Sequence, residues 1–275
     1  MDQYILECIK YYAVQGKALT ERELWLYMTF GTTKEHLRGE LTRLANMGMI
    51  VLGDGRYTLS TYTQNLTHGI QRDICTREKL QLTAPFLKIL KRIPWVECIC
   101  LTGSCGISNA VAEDDIDLML LTSEKRLFTT RLTVMLIATV MGVRRKRGVV
   151  QDPNAVCMNL WLDASDLSVP VVKRSRYAAR EIAQMQMLYE RSEGSLGRFV
   201  LENRWIEEQL PNLYQEYVDK KSSSFVPVHK PNMILDLIET LAKKIQLKYI
   251  KMHQTTELIT ETQLWFHPLD RSHLS

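Results

Sequence analysis

None of the six cysteines (Cys8, Cys75, Cys98, Cys100, Cys105, Cys157) forms a Cys-x-x-Cys pair, and no Cys/His cluster has zinc-ligand spacing. A zinc module is therefore excluded, and a reducing, cytoplasmic setting is expected. Cys98 and Cys100 lie two apart in an apolar run and read as small core residues of a strand. No apolar run is long enough for a bilayer. Leu132 to Val143 is apolar and is followed by Arg144-Arg145-Lys146-Arg147, but it spans twelve residues against the roughly 20 that a membrane helix needs. It reads as a buried helix ending in a basic turn, and no membrane partner is expected. Met1-Asp2-Gln3-Tyr4 lacks the basic region of a secretory leader, so none is expected. There is no internal repeat and no low-complexity tract. Charge of one sign is not in large excess either: the net charge is +4, too mild to argue for nucleic acid by itself.

What is present is an ordinary globular composition, 45% hydrophobic and 24% charged over 275 residues, enough for two domains or three small ones. Charge is unevenly placed. Residues 1–60 hold seven basic and seven acidic residues, and residues 61–95 hold six and two. Residues 96–172 hold seven and nine, and residues 173–275 hold fifteen and thirteen.

The first sixty residues read as three helices and a hairpin. Thr20 and Glu23 form a capping box for the second helix, and Thr32 with Glu35 forms another for the third. Leu37, Leu41 and Leu44 repeat at helical spacing along that third helix. Gly53-Asp54-Gly55 between short apolar runs marks a hairpin turn. This arrangement resembles a winged helix, which implies possible contact with DNA through the third helix, carrying Arg38 and Arg43. Winged helices also serve as docking modules, and the neutral charge of the segment leaves both roles open.

Residues 64–93 read as helical. Strands are expected at Val96 to Thr102, Ile116 to Thr122 and Ala155 to Leu162, with helical segments around 104–111 and 124–143 between them. After Pro170 helices are expected at 174–191, 194–209 and 231–254, with a loop from Lys220 to Ser224 and on through Pro227 and Pro231.

The run from Leu101-Thr102-Gly103-Ser104 to Asp114-Asp115-Ile116-Asp117-Leu118 carries the chemistry. A strand ending in Gly-Ser lets the backbone turn tightly and approach a ligand. The N–H groups that follow suit a phosphate, to which Ser104 adds a hydroxyl. Asp115 and Asp117 alternate with core-facing Ile116 and Leu118, so both carboxylates face one side of the strand. Such a pair can hold divalent cations for phosphoryl or nucleotidyl transfer.

Together, apolar strand, Gly103-Ser104, ten residues and Asp115-x-Asp117 closely resemble the pattern of the DNA polymerase beta-like nucleotidyltransferase superfamily. The segments at 181–191 and 203–212, with Phe266-His267-Pro268, resemble the helical extension of its small prokaryotic members. The resemblance covers about residues 96–268. It implies an α+β nucleotidyltransferase fold, a mixed sheet with flanking helices, joined to an N-terminal winged helix and a C-terminal helical domain. The implied boundaries are 1–62, 63–172 and 173–275. It further implies transfer of a nucleoside monophosphate from an NTP, ATP being the expected donor, with Mg2+ as cofactor. Asp115 and Asp117 would be catalytic and metal-binding, and Gly103 and Ser104 nucleotide-binding.

The family pattern has a third carboxylate central in a later strand, which can act as general base. The corresponding strand is Val156 to Leu162. By strict alternation Val156, Met158, Leu160 and Leu162 face the core, and Cys157, Asn159 and Trp161 face the other way. The third position is then Asn159, whose carbonyl can ligate Mg2+ but which cannot act as a base. Asp163 lies further along the strand, and Asp152 precedes it. Arg144 to Arg147 could neutralise a triphosphate, but read better as a solvated helix C-terminus. Trp205 reads as packing, and His267 as a terminal structural contact. The alternative to an enzyme is a DNA-binding regulator or toxin–antitoxin component with a degenerate, nucleotide-binding transferase domain.

Overall fold

The computed structural model describes residues 1–145, 152–220, 232–252 and 257–266. The readings placed on Lys146, Arg147, Lys221 to Ser224, Pro227, Pro231, His267 and Pro268 lie outside the described residues.

The N-terminal segment follows the expected order: α1 (Asp2–Val14), a short strand β1 (Leu19–Thr20), α2 (Glu21–Tyr27), α3 (Lys34–Asn46), β2 (Ile50–Gly53) and β3 (Arg56–Leu59). The Thr20–Glu23 capping box forms as expected. The second box does not: α3 starts one residue later, with Thr33 accepting from the His36 N–H. Leu37, Leu41 and Leu44 are fully buried. Gly53 pairs with Arg56 across a two-residue turn in which Asp54 and Gly55 both have positive φ, the hairpin geometry that Asp-Gly favours. β1 adds a third strand, in the order β1-β3-β2.

A 27-residue helix, α4 (Gln64–Leu90), leads into β4 (Val96–Leu101), α5 (Gly103–Gly106), β5 (Ile116–Thr122), α6 (Leu127–Val140) and β6 (Val156–Asp163). Then follow α7 (Arg176–Ala183), β7 (Gln186–Glu190), α8 (Ser195–Glu202), α9 (Trp205–Gln209), α10 (Pro211–Asp219), α11 (Met233–Lys251), β8 (Leu258–Ile259) and β9 (Gln263–Trp265). The result is an α+β chain with one mixed six-stranded sheet, order β7-β4-β5-β6-β9-β8, flanked by helices. β5 and β6 run parallel, and the other pairings are antiparallel.

Three expectations need correcting. The helix expected over 174–191 stops at Ala183, and Gln186–Glu190 is an edge strand on β4. Glu190 instead accepts from the N–H groups of Gly194 and Leu196, at the start of α8. Second, the sheet runs across the boundary expected at 172/173, because β7, β8 and β9 all come from beyond it. Third, α6 is buried on one side only. Phe128, Val134 and Ala138 face the sheet, whereas Leu132, Leu136 and Val140 are exposed.

Two cores sandwich the sheet. On one face Ile99, Leu101, Leu118, Leu120 and Trp161 pack with the end of α4, with α6 and with Ala242 of α11. On the other, Cys98, Cys100, Met119, Leu121, Leu160 and Leu162 share a continuous core with α1–α3 and α7–α10. The N-terminal segment thus lies on the same side of the sheet as α7.

Candidate functional site

β6 does not alternate strictly. Leu118 pairs with Met158, but Met119 pairs with Leu160, so Asn159 is the extra residue of a bulge. The bulge reverses the parity expected for the second half of the strand. Trp161 joins Val156 and Met158 in one core, and Leu160 and Leu162 cross to the other. Asn159 itself stays beside the aspartates, as expected.

Asp117 pairs with Cys157 across the parallel strands, while Ile116 and Leu118 are fully buried on the opposite face. The Asn159 amide Nδ2 donates to Asp117 Oδ1, and the Cys157 thiol donates to Asn159 Oδ1 at 2.7 Å. Asp115 Oδ2 lies 2.8 Å from Arg145 Nη1, yet this buried oxygen accepts no hydrogen bond among the described residues. Arg145 is therefore not the solvated helix terminus expected of it, since α6 ends five residues earlier. Asp163 is at the far end of β6, opposite Thr122, and is bonded to Ser165, so it is not part of the site.

Gly103 has φ +62°, and a Cβ there would overlap Asp117 Oδ2. The Gly-Ser turn and the second aspartate are thus in van der Waals contact, tied also by the Thr102 N–H donating to the Asp117 carbonyl at 2.9 Å. α5 has four residues, too short to contribute a sizeable helix dipole. The Ser104 hydroxyl, expected to face a ligand, donates to Asp114 Oδ2 at 2.7 Å, and Asp114 also accepts from the Val111 N–H.

Burial, followed by the charge of neighbouring Asp115, pushes the Asp117 carboxyl up to about 7, while Asn159 and Arg145 act against the rise. Burial and the charge of Asp117 push the Cys157 thiol up to about 12, so it stays protonated at neutral pH.

Oxygen or sulfur atoms of Asp115, Asp117 and Cys157 lie within 4.8 Å of one another. Two carboxylates, that of Asp115 ion-paired with Arg145, form a hard donor set that suits a cation such as Mg2+. Asn159, the expected third ligand, points its amide nitrogen rather than its oxygen toward Asp117.

Several residues at this site were given no site role from the sequence. A cleft of 1110 Å³ opens in front of Gly103, Ser104, Asp115, Asp117 and Asn159, and is lined also by α1, by Arg72 of α4 and by Arg180 and Glu181 of α7. Lys79 on α4 is buried, with Nζ bonded to the carbonyls of Ala112 and Asp114 and to Asn154 Oδ1 at 2.9, 2.7 and 3.0 Å. It clamps the loop that delivers Asp115. The only sequence trace is a lysine at core spacing between Thr76 and Thr83. Phe266, beyond β9, donates its N–H to the Asn159 carbonyl and lines the cleft.

No protein-family model matches the chain, and no curated protein matches it at a significant level. Among the described residues no helix is long and apolar enough to cross a membrane.

Proposed function

We propose that this chain is a divalent-metal-dependent nucleotidyltransferase with the fold of the DNA polymerase beta-like superfamily, taking an NTP, with ATP as the expected donor. The observation that carries the reading is the contact between Gly103 of the Gly-Ser turn and Asp117, with Ser104 and Asp115 lining the same cleft. A phosphate chain bound at the turn would lie beside both carboxylates.

In the proposed reaction an acceptor oxygen attacks the α-phosphorus. A new P–O bond forms, the bond to the β-phosphate's bridging oxygen breaks, and pyrophosphate leaves with the electron pair. Mg2+ held by Asp115 and Asp117 would neutralise charge on the transferring phosphates. Asp114 orients Ser104, and Lys79 fixes the loop between them. The acceptor's proton needs a base, which Asn159 cannot be. Glu181 lines the same cleft, and its charge contributes to the rise at Asp117. We assign it the proton-accepting role.

We read residues 1–62 as a winged helix used for docking. Arg38 is paired with Glu21, and Arg43 with Glu40 and Asp2, so the two cations that a DNA-binding reading depends on are already neutralised. Incubation with α-labelled NTPs, Mg2+ and cell extract tests transfer. Label appearing in an acceptor with release of pyrophosphate supports it, whereas nucleotide binding without label transfer would favour the nucleotide-sensing alternative.

A further inference from the structure

Arg180 is 6% exposed and lines the cleft. Its Nε has no hydrogen-bond partner, and among the described residues no carboxylate pairs with it. The guanidinium stacks 3.7 Å from the centre of the Tyr11 ring, on α1. A buried guanidinium without an anion is costly, and a stacked aromatic ring offsets only part of that cost. Arg72, half-buried and also lining the cleft, is held among the described residues by neutral acceptors: its Nη1 donates to the Gln15 carbonyl at 3.0 Å and to Asn109 Oδ1 at 2.8 Å. Two oriented guanidiniums thus reach one cleft with their charge uncompensated by any described carboxylate.

Both are fixed by neighbouring elements. α7 is docked on α1 through Gln184 Nε2 donating to the Tyr12 hydroxyl at 2.6 Å. The C-terminus of α1 is docked on the core through Gln15, whose carbonyl accepts from Arg72 and from Asn109 Nδ2. A planar guanidinium held in one orientation suits the oxygens of a phosphate group better than a mobile surface lysine does.

We propose that Arg180 and Arg72 form an anion subsite for a phosphate group, separate from the Asp115–Asp117 metal site. The phosphate belongs either to the nucleotide's own tail or to a phosphorylated acceptor. Unlike the transfer reaction, this subsite needs no metal.

Inorganic tripolyphosphate in EDTA is the probe, read by calorimetry and by the shift in Tm. The wild-type protein should bind it and gain stability. Arg180→Met should weaken binding tenfold or more and abolish the Tm shift, Arg180→Lys should restore part of it, and Arg72→Met should weaken it independently. Asp115→Ala/Asp117→Ala should still bind the probe, which separates this site from the metal reading. Displacement by a non-hydrolysable ATP analogue with Mg2+ assigns the subsite to the nucleotide tail, and simultaneous binding assigns it to the acceptor. Equal binding by wild type and Arg180→Met, or no binding by the wild type, overturns the proposal. Should Arg180→Met fail to fold, unchanged binding in both Arg180→Lys and Arg72→Met overturns it as well.

Discussion

The carboxylate of Asp117 occupies the space that a side chain at Gly103 would need. Two motifs fourteen residues apart in sequence therefore constrain each other directly. The left-handed backbone at Gly103 costs an alanine about 1–2 kcal/mol, and the new methyl group would displace Asp117 as well. Gly103→Ala should lower stability by at least that amount in urea unfolding. It should also abolish Mg2+-dependent NTP binding, whereas Gly55→Ala, at the remote hairpin turn, should leave that binding unchanged.

The raised carboxyl of Asp117 sets a pH dependence. Its folded value of about 7 exceeds the ordinary 3.8, so between these values the folded state holds more protons than the unfolded state. The contribution of this group to stability is greatest below pH 3.8 and is lost as pH rises through 7. Because Asp117 is only partly buried and opens onto the cleft, the loss is on the order of 1 kcal/mol, well below the full equivalent of about 1.4 kcal/mol per pK unit. Asp117→Asn should be more stable than wild type at pH 8 without metal and should show no such loss. Mg2+ affinity of the wild type should rise from pH 5 to pH 8, as proton competition falls. Calorimetric titration at both pH values checks this.

Lys79 satisfies three oxygens around the loop before Asp115. Lys79→Met removes that donor from all three, and among the described residues only the Asp114 carbonyl keeps another, the Asn154 N–H, so the cost is about 1–3 kcal/mol. The loop should loosen, so Mg2+ affinity should fall although residue 79 is not a ligand. Hydrogen exchange of residues 112–115 reports the loosening independently.

Glu181→Gln removes the proposed proton acceptor while keeping size and polarity. Transfer should slow about 100-fold or more, with NTP affinity changed less than threefold. A parallel loss of affinity and rate would assign Glu181 to binding instead.

Local chemistry made much of this legible in sequence. Period-two burial around Asp115 and Asp117, the Thr20–Glu23 capping box and the Asp54-Gly55 turn all form as expected, because each depends on residues close in the chain. The errors came from longer-range pairing. The bulge at Asn159 depends on how β6 aligns with β5, and the strand at Gln186–Glu190 depends on the open edge of β4. Arg72, Lys79 and Arg180 lie on helices where no motif marks them, Glu181 falls in a segment noted only for its resemblance to a helical extension, and only the packing of α4 and α7 brings these residues to the cleft or to the loop beside it.

In the proposed function Asp115 and Asp117 hold a divalent cation beside a nucleotide. The direct test is NTP binding with and without Mg2+ in wild type and in Asp115→Ala/Asp117→Ala, with folding verified by circular dichroism. Mg2+-dependent binding is expected in the wild type, with its loss in the double variant. Equal Mg2+-dependent binding in both proteins would contradict it.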